Sequence, residues 1–338
     1  MMPTVIGSLA RIADFDRNPY DLASLDMTAW ASGDYVLGEV TGAPSELYNV
    51  ENCVGDMIPV DIGDYVIGAL GNRAATLEGV GSWADVRDGK MQALTSAALF
   101  GAFTSLSKLV PDPISFVYRG HIVRAGTKVR MTDFALETDA TKFAVPTILL
   151  FGTSMSAGKT TTGRLACELL STAGLNVVGS KLTGAGRYRD VLSFKQHGAA
   201  EIFDFVDVGL PSTVVAEKEF RAAIRPLLHH IDSREPDFLV AEAGASPLEP
   251  YNGAAAIGEL GDNICCRILC ASDPYAAFGV EKAFGLVPDL VAGPATNTTA
   301  GIDLVLKLTG VPGLNIIDPA SVPKFRKFLE ARLDVNLG

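Results

Sequence analysis

Histidine and tryptophan are scarce in this chain, with four and two among 338 residues, and its five cysteines are odd in number and follow no paired spacing. The scattered histidines leave no metal-binding histidine helix, and no Gly-x-Ser-x-Gly turn occurs to present a serine nucleophile. Cys265, Cys266 and Cys270 fall in the apolar run Ile264 to Ala271, which reads as a core strand with reduced thiols rather than a zinc site. No apolar stretch approaches the roughly 18 residues that span a bilayer. The N-terminus also lacks the basic-then-apolar order of a secretory signal, so a cytoplasmic protein without a membrane partner is expected. Positive charge is short as well: the net charge is −11, with 18 acidic and 11 basic residues before Pro146 and 21 and 17 from there on. A nucleic-acid partner is disfavoured, because neutralising phosphates needs a basic surface.

What the chain has in quantity is apolar mass and glycine. With 48% hydrophobic residues and 34 glycines it can bury a large core, and its length suits about two domains. Residues 1–145 read as a smaller β-rich domain, with strands expected at Tyr35 to Val40, Tyr65 to Leu70, Ile114 to Val123 and Lys128 to Leu136. One helix is expected over Met91 to Leu106. Gly33 to Gly38 (GDYVLG) echoes Gly63 to Gly68 (GDYVIG), a pattern that two equivalent turn-plus-strand units of a small barrel would produce.

Residues 146–338 read as an α/β domain. Apolar runs at Thr147 to Phe151, Leu175 to Lys181, Phe238 to Glu242, Ile264 to Ala271, Leu290 to Gly293 and Leu314 to Ile317 alternate with helical spacing. That alternation predicts a mainly parallel sheet covered by helices, with ligands at the carboxyl ends of the strands.

The first of these strands runs into Gly152-Thr153-Ser154-Met155-Ser156-Ala157-Gly158-Lys159-Thr160-Thr161 and then a helical stretch. Backbone N–H groups that curl around a phosphate, followed by a helix N-terminus, require small residues in this order. A P-loop NTPase domain is therefore expected, with Lys159 reaching the β- and γ-phosphates and the Thr160 hydroxyl on Mg²⁺. Five residues rather than four lie between Gly152 and Gly158, and Thr153 takes the usual glycine position.

Such a site needs a carboxylate at a neighbouring strand end, and Glu242 supplies it. Lys181 closes the second strand, where it would stabilise charge developing on a transferred phosphoryl group. Asp190 is ranked ahead of Asp204 and Asp207 as a second metal-directing carboxylate. Thr183, Gly184, Arg187, Ser246 and Asn252 are the candidate substrate contacts, and Arg189 is a weaker one. Only His197, of the four histidines, is near enough in sequence to the lysine loop to reach such a site.

These features resemble the dethiobiotin synthetase-like group of P-loop proteins. The five-residue spacing in the loop, Lys181 before a Thr-Gly turn, and Glu242 before Ala-Gly carry the resemblance. Glu242 to Gly253 (EAGASPLEPYNG) is also similar to an acidic-Gly-Ser-Leu stretch of an incompletely characterised two-domain family that includes a D-glutamate N-acetyltransferase component. The resemblance implies ATP and Mg²⁺ as cofactors, bound at Gly152 to Thr161 with the metal at Thr160 and Glu242. It also implies a ligase or kinase that activates a carboxylate or similar oxyanion of a small-molecule acid. The β-rich domain has no counterpart in dethiobiotin synthetase, so the biotin-pathway substrate is not implied.

The guanine signature Asn-Lys-x-Asp does not follow the strand Leu290 to Gly293, which favours adenine with Asn297 as a base contact. The loop also lacks the second lysine of partition-type dimeric ATPases. The β-rich domain is expected to serve as a lid or as the surface of a homo-oligomer, a dimer in the simplest case. Two other functions remain open from the residues: an acyl-CoA-dependent N-acyltransferase acting on an amino acid, and a nucleotide-gated binding or metallochaperone module.

Overall fold

The computed structural model describes residues 4–42 and 49–338. It is mixed α/β and divides into two compact units. Met1–Glu137, Ala185–Arg189 and Phe205–Val215 form the first; Thr138–Gly184, Asp190–Asp204 and Ala216–Gly338 form the second.

The first unit is built on a ten-stranded mixed sheet. Within it Tyr65–Leu70, Tyr35–Val40, Ser115–Arg124, Lys90–Thr95 and Leu99–Leu106 follow one another, and Leu99–Leu106 pairs back to Tyr65–Leu70 in parallel, so five strands close into a barrel. Closure removes the exposed edges that an open sheet would present. Val36, Val40, Val66, Leu70, Met91, Phe100 and Phe116 belong to its buried core.

The sequence echo has a physical basis here. Gly33 and Gly63 both hold left-handed turns, at φ 82° and 96°, and the strands they launch pair antiparallel with Leu37 opposite Ile67. A Cβ on Gly68 would lie 2.2 Å from the Ala98 carbonyl oxygen, so the closing strand approaches there only because the side chain is missing.

Two expectations fail in this unit. The stretch Met91 to Leu106 is two strands, Lys90–Thr95 and Leu99–Leu106, joined through Ala98 in the left-handed region at φ 61°. Its alanine and leucine content favours a helix locally, but pairing on both sides outweighs that preference. Lys128 to Leu136 is a short strand, Thr127–Lys128, followed by a 3₁₀ turn over Met131–Phe134.

A buried carboxylate organises part of this unit. Glu51 accepts hydrogen bonds from the backbone N–H groups of Tyr188 and Arg189, at 2.7 and 2.9 Å, and from the Ser8 hydroxyl. Arg11 pairs with Asp207 at 2.9 Å and stacks on the Tyr188 ring.

The second unit carries a six-stranded, all-parallel sheet. Its strands are β1 (Thr147–Gly152), β2 (Val177–Thr183), β3 (Glu201–Asp204), β4 (Phe238–Ala243), β5 (Ile264–Cys270) and β6 (Leu290–Ala292), in the spatial order β3-β2-β4-β1-β5-β6. Parallel pairing throughout requires crossovers, and the five intervening helices supply them: α1 (Lys159–Thr172), α2 (Tyr188–Gln196), α3 (Glu217–Asp232), α4 (Gly253–Leu260) and α5 (Pro274–Phe284), with α6 (Thr299–Thr309) and α7 (Val322–Leu333) following the last strand. Strands buried on both faces read as continuous apolar runs, and every residue of β1, β2 and β4 is buried.

The segment Leu314 to Ile317 does not form the expected strand. Only Gly313 bridges Val291, and the rest turns away into the 3₁₀ segment Pro319–Ser321. The cysteine-bearing run is the strand β5, with Cys266 and Cys270 fully buried. No helix among the described residues is long and apolar enough to cross a membrane.

Candidate functional site at the carboxyl edge of the parallel sheet

The register of the sheet decides which side chains meet. Parallel pairing sets Lys181 of β2 opposite Asp204 of β3 on one side and opposite Glu242 of β4 on the other, while Glu242 lies opposite Leu150 of β1. Residues in register on adjacent strands share a face, so a buried row of alternating charge, Asp204-Lys181-Glu242, runs along the carboxyl edge. Buried charges persist only when paired or hydrogen-bonded, which is why the row alternates.

Beside that row β1 ends, and the chain turns through 153–157 into α1. Gly158 occupies the helix N-cap in the left-handed region at φ 96°, where most side chains would be strained. Gly152 sits so close to Lys159 that a Cβ there would come within 2.7 Å of Nζ. The Lys159 side chain folds back under the loop, is 1% exposed, and donates to the backbone oxygens of Ser154 at 2.6 Å and Met155 at 3.3 Å. Burial holds its pKa below the usual lysine range, and the carboxylates of Glu242 and Glu249 oppose that shift.

Thr153 does not leave the loop open where glycine usually stands. Its hydroxyl accepts the Ser272 N–H at 3.1 Å, and its own N–H donates to the Cys270 oxygen at 3.1 Å, which ties the loop to the end of β5. A Cβ on Gly293, after β6, would lie 2.2 Å from the Ala157 oxygen, so that glycine is needed for the loop's closest backbone neighbour.

Thr160, on the first turn of α1, donates its hydroxyl hydrogen to Glu242 Oε2 at 2.9 Å. The helix can approach the sheet this closely because Gly163, one turn on, has no side chain: a Cβ there would meet Phe194 at 2.6 Å and Leu150 at 2.7 Å. Burial pushes the Glu242 carboxyl above the ordinary range, and Lys181 and Lys159 moderate the shift. Lys181 also donates to Asp190 Oδ2 at 2.5 Å.

Lys159, Thr160, Lys181, Asp190 and Glu242 are thus connected through direct contacts and register pairing. Thr183 and Gly184 are close by. The Thr183 hydroxyl accepts the Gly244 N–H at 3.0 Å, and Gly184 packs on the Lys181 stem at φ 136°. Ser246 donates its N–H to Glu249 at 2.7 Å, and Asn252 caps α4 in the left-handed region at φ 61°. Ser156 is exposed at the loop tip, and Thr161 is half-buried beside it on α1.

Arg187 and Arg189 belong to the 185–189 segment of the first unit, and Asp207, also of that unit, is paired with Arg11. His197 closes α2 by bonding its Nδ1 to the Ser193 oxygen at 2.7 Å. Asn297 is exposed, and its backbone oxygen accepts from the Asn315 side chain at 3.2 Å. Sequence reading overlooked Ser272, Gly293 and Glu249 as parts of this edge. A lone serine after a strand gives no signal of its own; only the sheet order brings it to the loop.

The donor set suits a hard divalent cation. Thr160 and Glu242 offer two oxygens from adjoining elements, and Mg²⁺ is characteristically held by one or two protein oxygens together with water and phosphate. Among the described residues no group of three or more His, Cys, Asp or Glu side chains is placed to hold a metal ion by itself.

A comparison of the chain with protein-family models gave no match, and one with curated proteins gave none.

Proposed function

We propose that the second unit is a P-loop nucleotide-binding domain. In particular, we read the protein as an ATP- and Mg²⁺-dependent enzyme that phosphorylates a carboxylate or similar oxyanion of a small metabolite. The observation that carries this reading is the contact of Thr160 with Glu242 directly beside the buried Lys159. A hydroxyl at the start of a helix, a carboxylate at a neighbouring strand end and a lysine under a glycine-bounded loop are the parts phosphoryl transfer needs.

In this reading loop 153–158 and the N-terminus of α1 hold the phosphates, and Lys159 exchanges its bonds to the Ser154 and Met155 oxygens for phosphate oxygens. Thr160 and Glu242 hold Mg²⁺, which neutralises charge on the β- and γ-phosphates when bound. Lys181, kept in place by Asp190, offers its ammonium to the transferred group, and the Thr183 to Gly184 and Ser246 to Asn252 segments border the acceptor. The acceptor oxygen bonds to the γ-phosphorus as the bond to the β-phosphate oxygen breaks, giving ADP and, from a carboxylate, an acyl phosphate whose carbonyl carbon a second nucleophile can attack with release of inorganic phosphate. Most of the acceleration then comes from positioning and fixed charge.

A thermal-shift comparison of ATP, GTP and acetyl-CoA, each with and without Mg²⁺, tests the proposal, because a ligand that binds only the native state raises its melting temperature. Stabilisation by Mg-ATP above the others is expected. Stabilisation by acetyl-CoA alone, independent of Mg²⁺, would overturn it in favour of acyl transfer.

A further inference from the structure

The first unit carries a cavity that the proposed reaction does not use. It has a volume of about 630 Å³ and is lined by the barrel strands Lys90–Thr95 and Ser115–Arg124 together with the 85–88 stretch, all within Met1–Glu137. Small-molecule sites typically have roughly 300–1,000 Å³ and combine mainly apolar walls with a few polar groups that converge.

Strand register puts three neutral polar side chains in one row along this cavity. Ser115 pairs directly with Gln92, and residues opposite one another in an antiparallel pair share a face. Val40 pairs with Phe116, and both belong to the buried core. The next residue, Thr41, therefore alternates onto the face of Ser115, whose backbone oxygen accepts the Thr41 N–H at 2.9 Å. Thr41, Ser115 and Gln92 all line the cavity. A Cβ on Gly42 would lie 3.1 Å from Ser115 Cβ and 3.3 Å from its Oγ, so this glycine leaves the hydroxyl uncovered.

The hydrogen-bonding capacity of the row is directed at a ligand. Gln92 Oε1 accepts the Phe103 N–H at 2.9 Å, which fixes the carboxamide and leaves the two Nε2 donors for another partner. Among the described residues no hydrogen bond occupies the Thr41 or Ser115 hydroxyl. The charged side chains of the lining balance, Arg87 and Lys90 against Asp85 and Asp88, and Arg87 Nη1 is committed to the Ala84 and Val86 backbone oxygens, both at 2.7 Å. An anion gains no net field there, and an apolar molecule would desolvate the Gln92 donors without replacing their bonds to water. What fits is a neutral molecule with several hydroxyl or ether oxygens and a C–H face to lie against Ala102 and Val117.

We propose that this cavity is a binding site for a neutral, sugar-sized polyol. Gln92 Nε2 donates to one ligand oxygen, and the Ser115 and Thr41 hydroxyls donate to or accept from others.

Saturation-transfer NMR on the full chain tests the site, with glucose, galactose and mannose as neutral probes and glucose 6-phosphate as the anionic one. Saturable transfer to the ring protons of at least one neutral hexose, stronger than to glucose 6-phosphate, is expected. Gln92→Glu keeps an acceptor for the Phe103 N–H but replaces the two donors with a carboxylate oxygen, so binding should weaken at least tenfold. Ser115→Ala, which breaks no bond within the protein, should weaken it severalfold and keeps the test decisive should Gln92→Glu fail to fold. No transfer from any of the three hexoses, tighter binding of glucose 6-phosphate, or undiminished binding in folded Gln92→Glu or in Ser115→Ala would each overturn the proposal.

Discussion

Thr160 and Glu242 stand 82 positions apart in the chain, and their side chains meet at 2.9 Å where the first turn of α1 faces the end of β4. If this pair holds the metal, the two residues separate by experiment. Glu242→Gln keeps the shape and much of the nucleotide affinity but lowers turnover by about a hundredfold or more. Thr160→Ala weakens the dependence of binding on Mg²⁺. Normal turnover in Glu242→Gln, followed as ADP release, would remove Glu242 from the site.

Lys159→Ala tests the loop itself. Losing a charge-assisted contact of about 1.5–3 kcal/mol weakens ATP binding by roughly ten- to a hundredfold. Circular dichroism should be unchanged, because the buried ammonium is bonded only to loop carbonyls. Calorimetry that returns unchanged ATP affinity would sink the phosphate-loop assignment.

Glu242 also predicts a pH effect on stability. Its folded-state pKa lies above the ordinary 4.5, chiefly through burial. A raised folded value means that the stability contribution is fully present below the unfolded pKa and is lost as the pH rises through the folded one. Glu242→Gln resembles the protonated form at every pH. Its melting temperature should therefore exceed that of the parent at neutral pH, and the gain should vanish in acid below about 4.5. A gain of equal size at both pH values would contradict the linkage.

Two glycines give opposite signs. A Cβ on Gly244 would lie 2.1 Å from the Thr183 backbone oxygen, so Gly244→Ala should destabilise by about 1–3 kcal/mol. Gly279, in α5, faces open space with no left-handed backbone, so Gly279→Ala should stabilise by about 0.4–1 kcal/mol. Urea denaturation of both variants checks the pair, and equal effects would mean that the close approach at Gly244 is not limiting.

Local chemistry was legible where a residue's neighbours in sequence are also its neighbours in space. The strand-loop-helix order around Lys159, the apolar runs of β1, β4 and β5, and the strands Tyr35–Val40 and Tyr65–Leu70 all follow from periodicity and glycine placement. Lys181 and Glu242 were readable as strand-end charges because a charged residue closing an apolar run is conspicuous.

Tertiary structure decided what periodicity cannot carry. It split Met91 to Leu106 into two strands, since pairing partners on both sides compete with a local preference worth only tenths of a kcal/mol per residue. It drew 185–189 and 205–215 into the first unit, taking Arg187, Arg189 and Asp207 with them. It also placed Asp204, Lys181 and Glu242 in one row, because sheet order and register are set by long-range burial of apolar faces. The sequence by itself determined which groups could do chemistry; only the register of the parallel sheet determined which of them stand together.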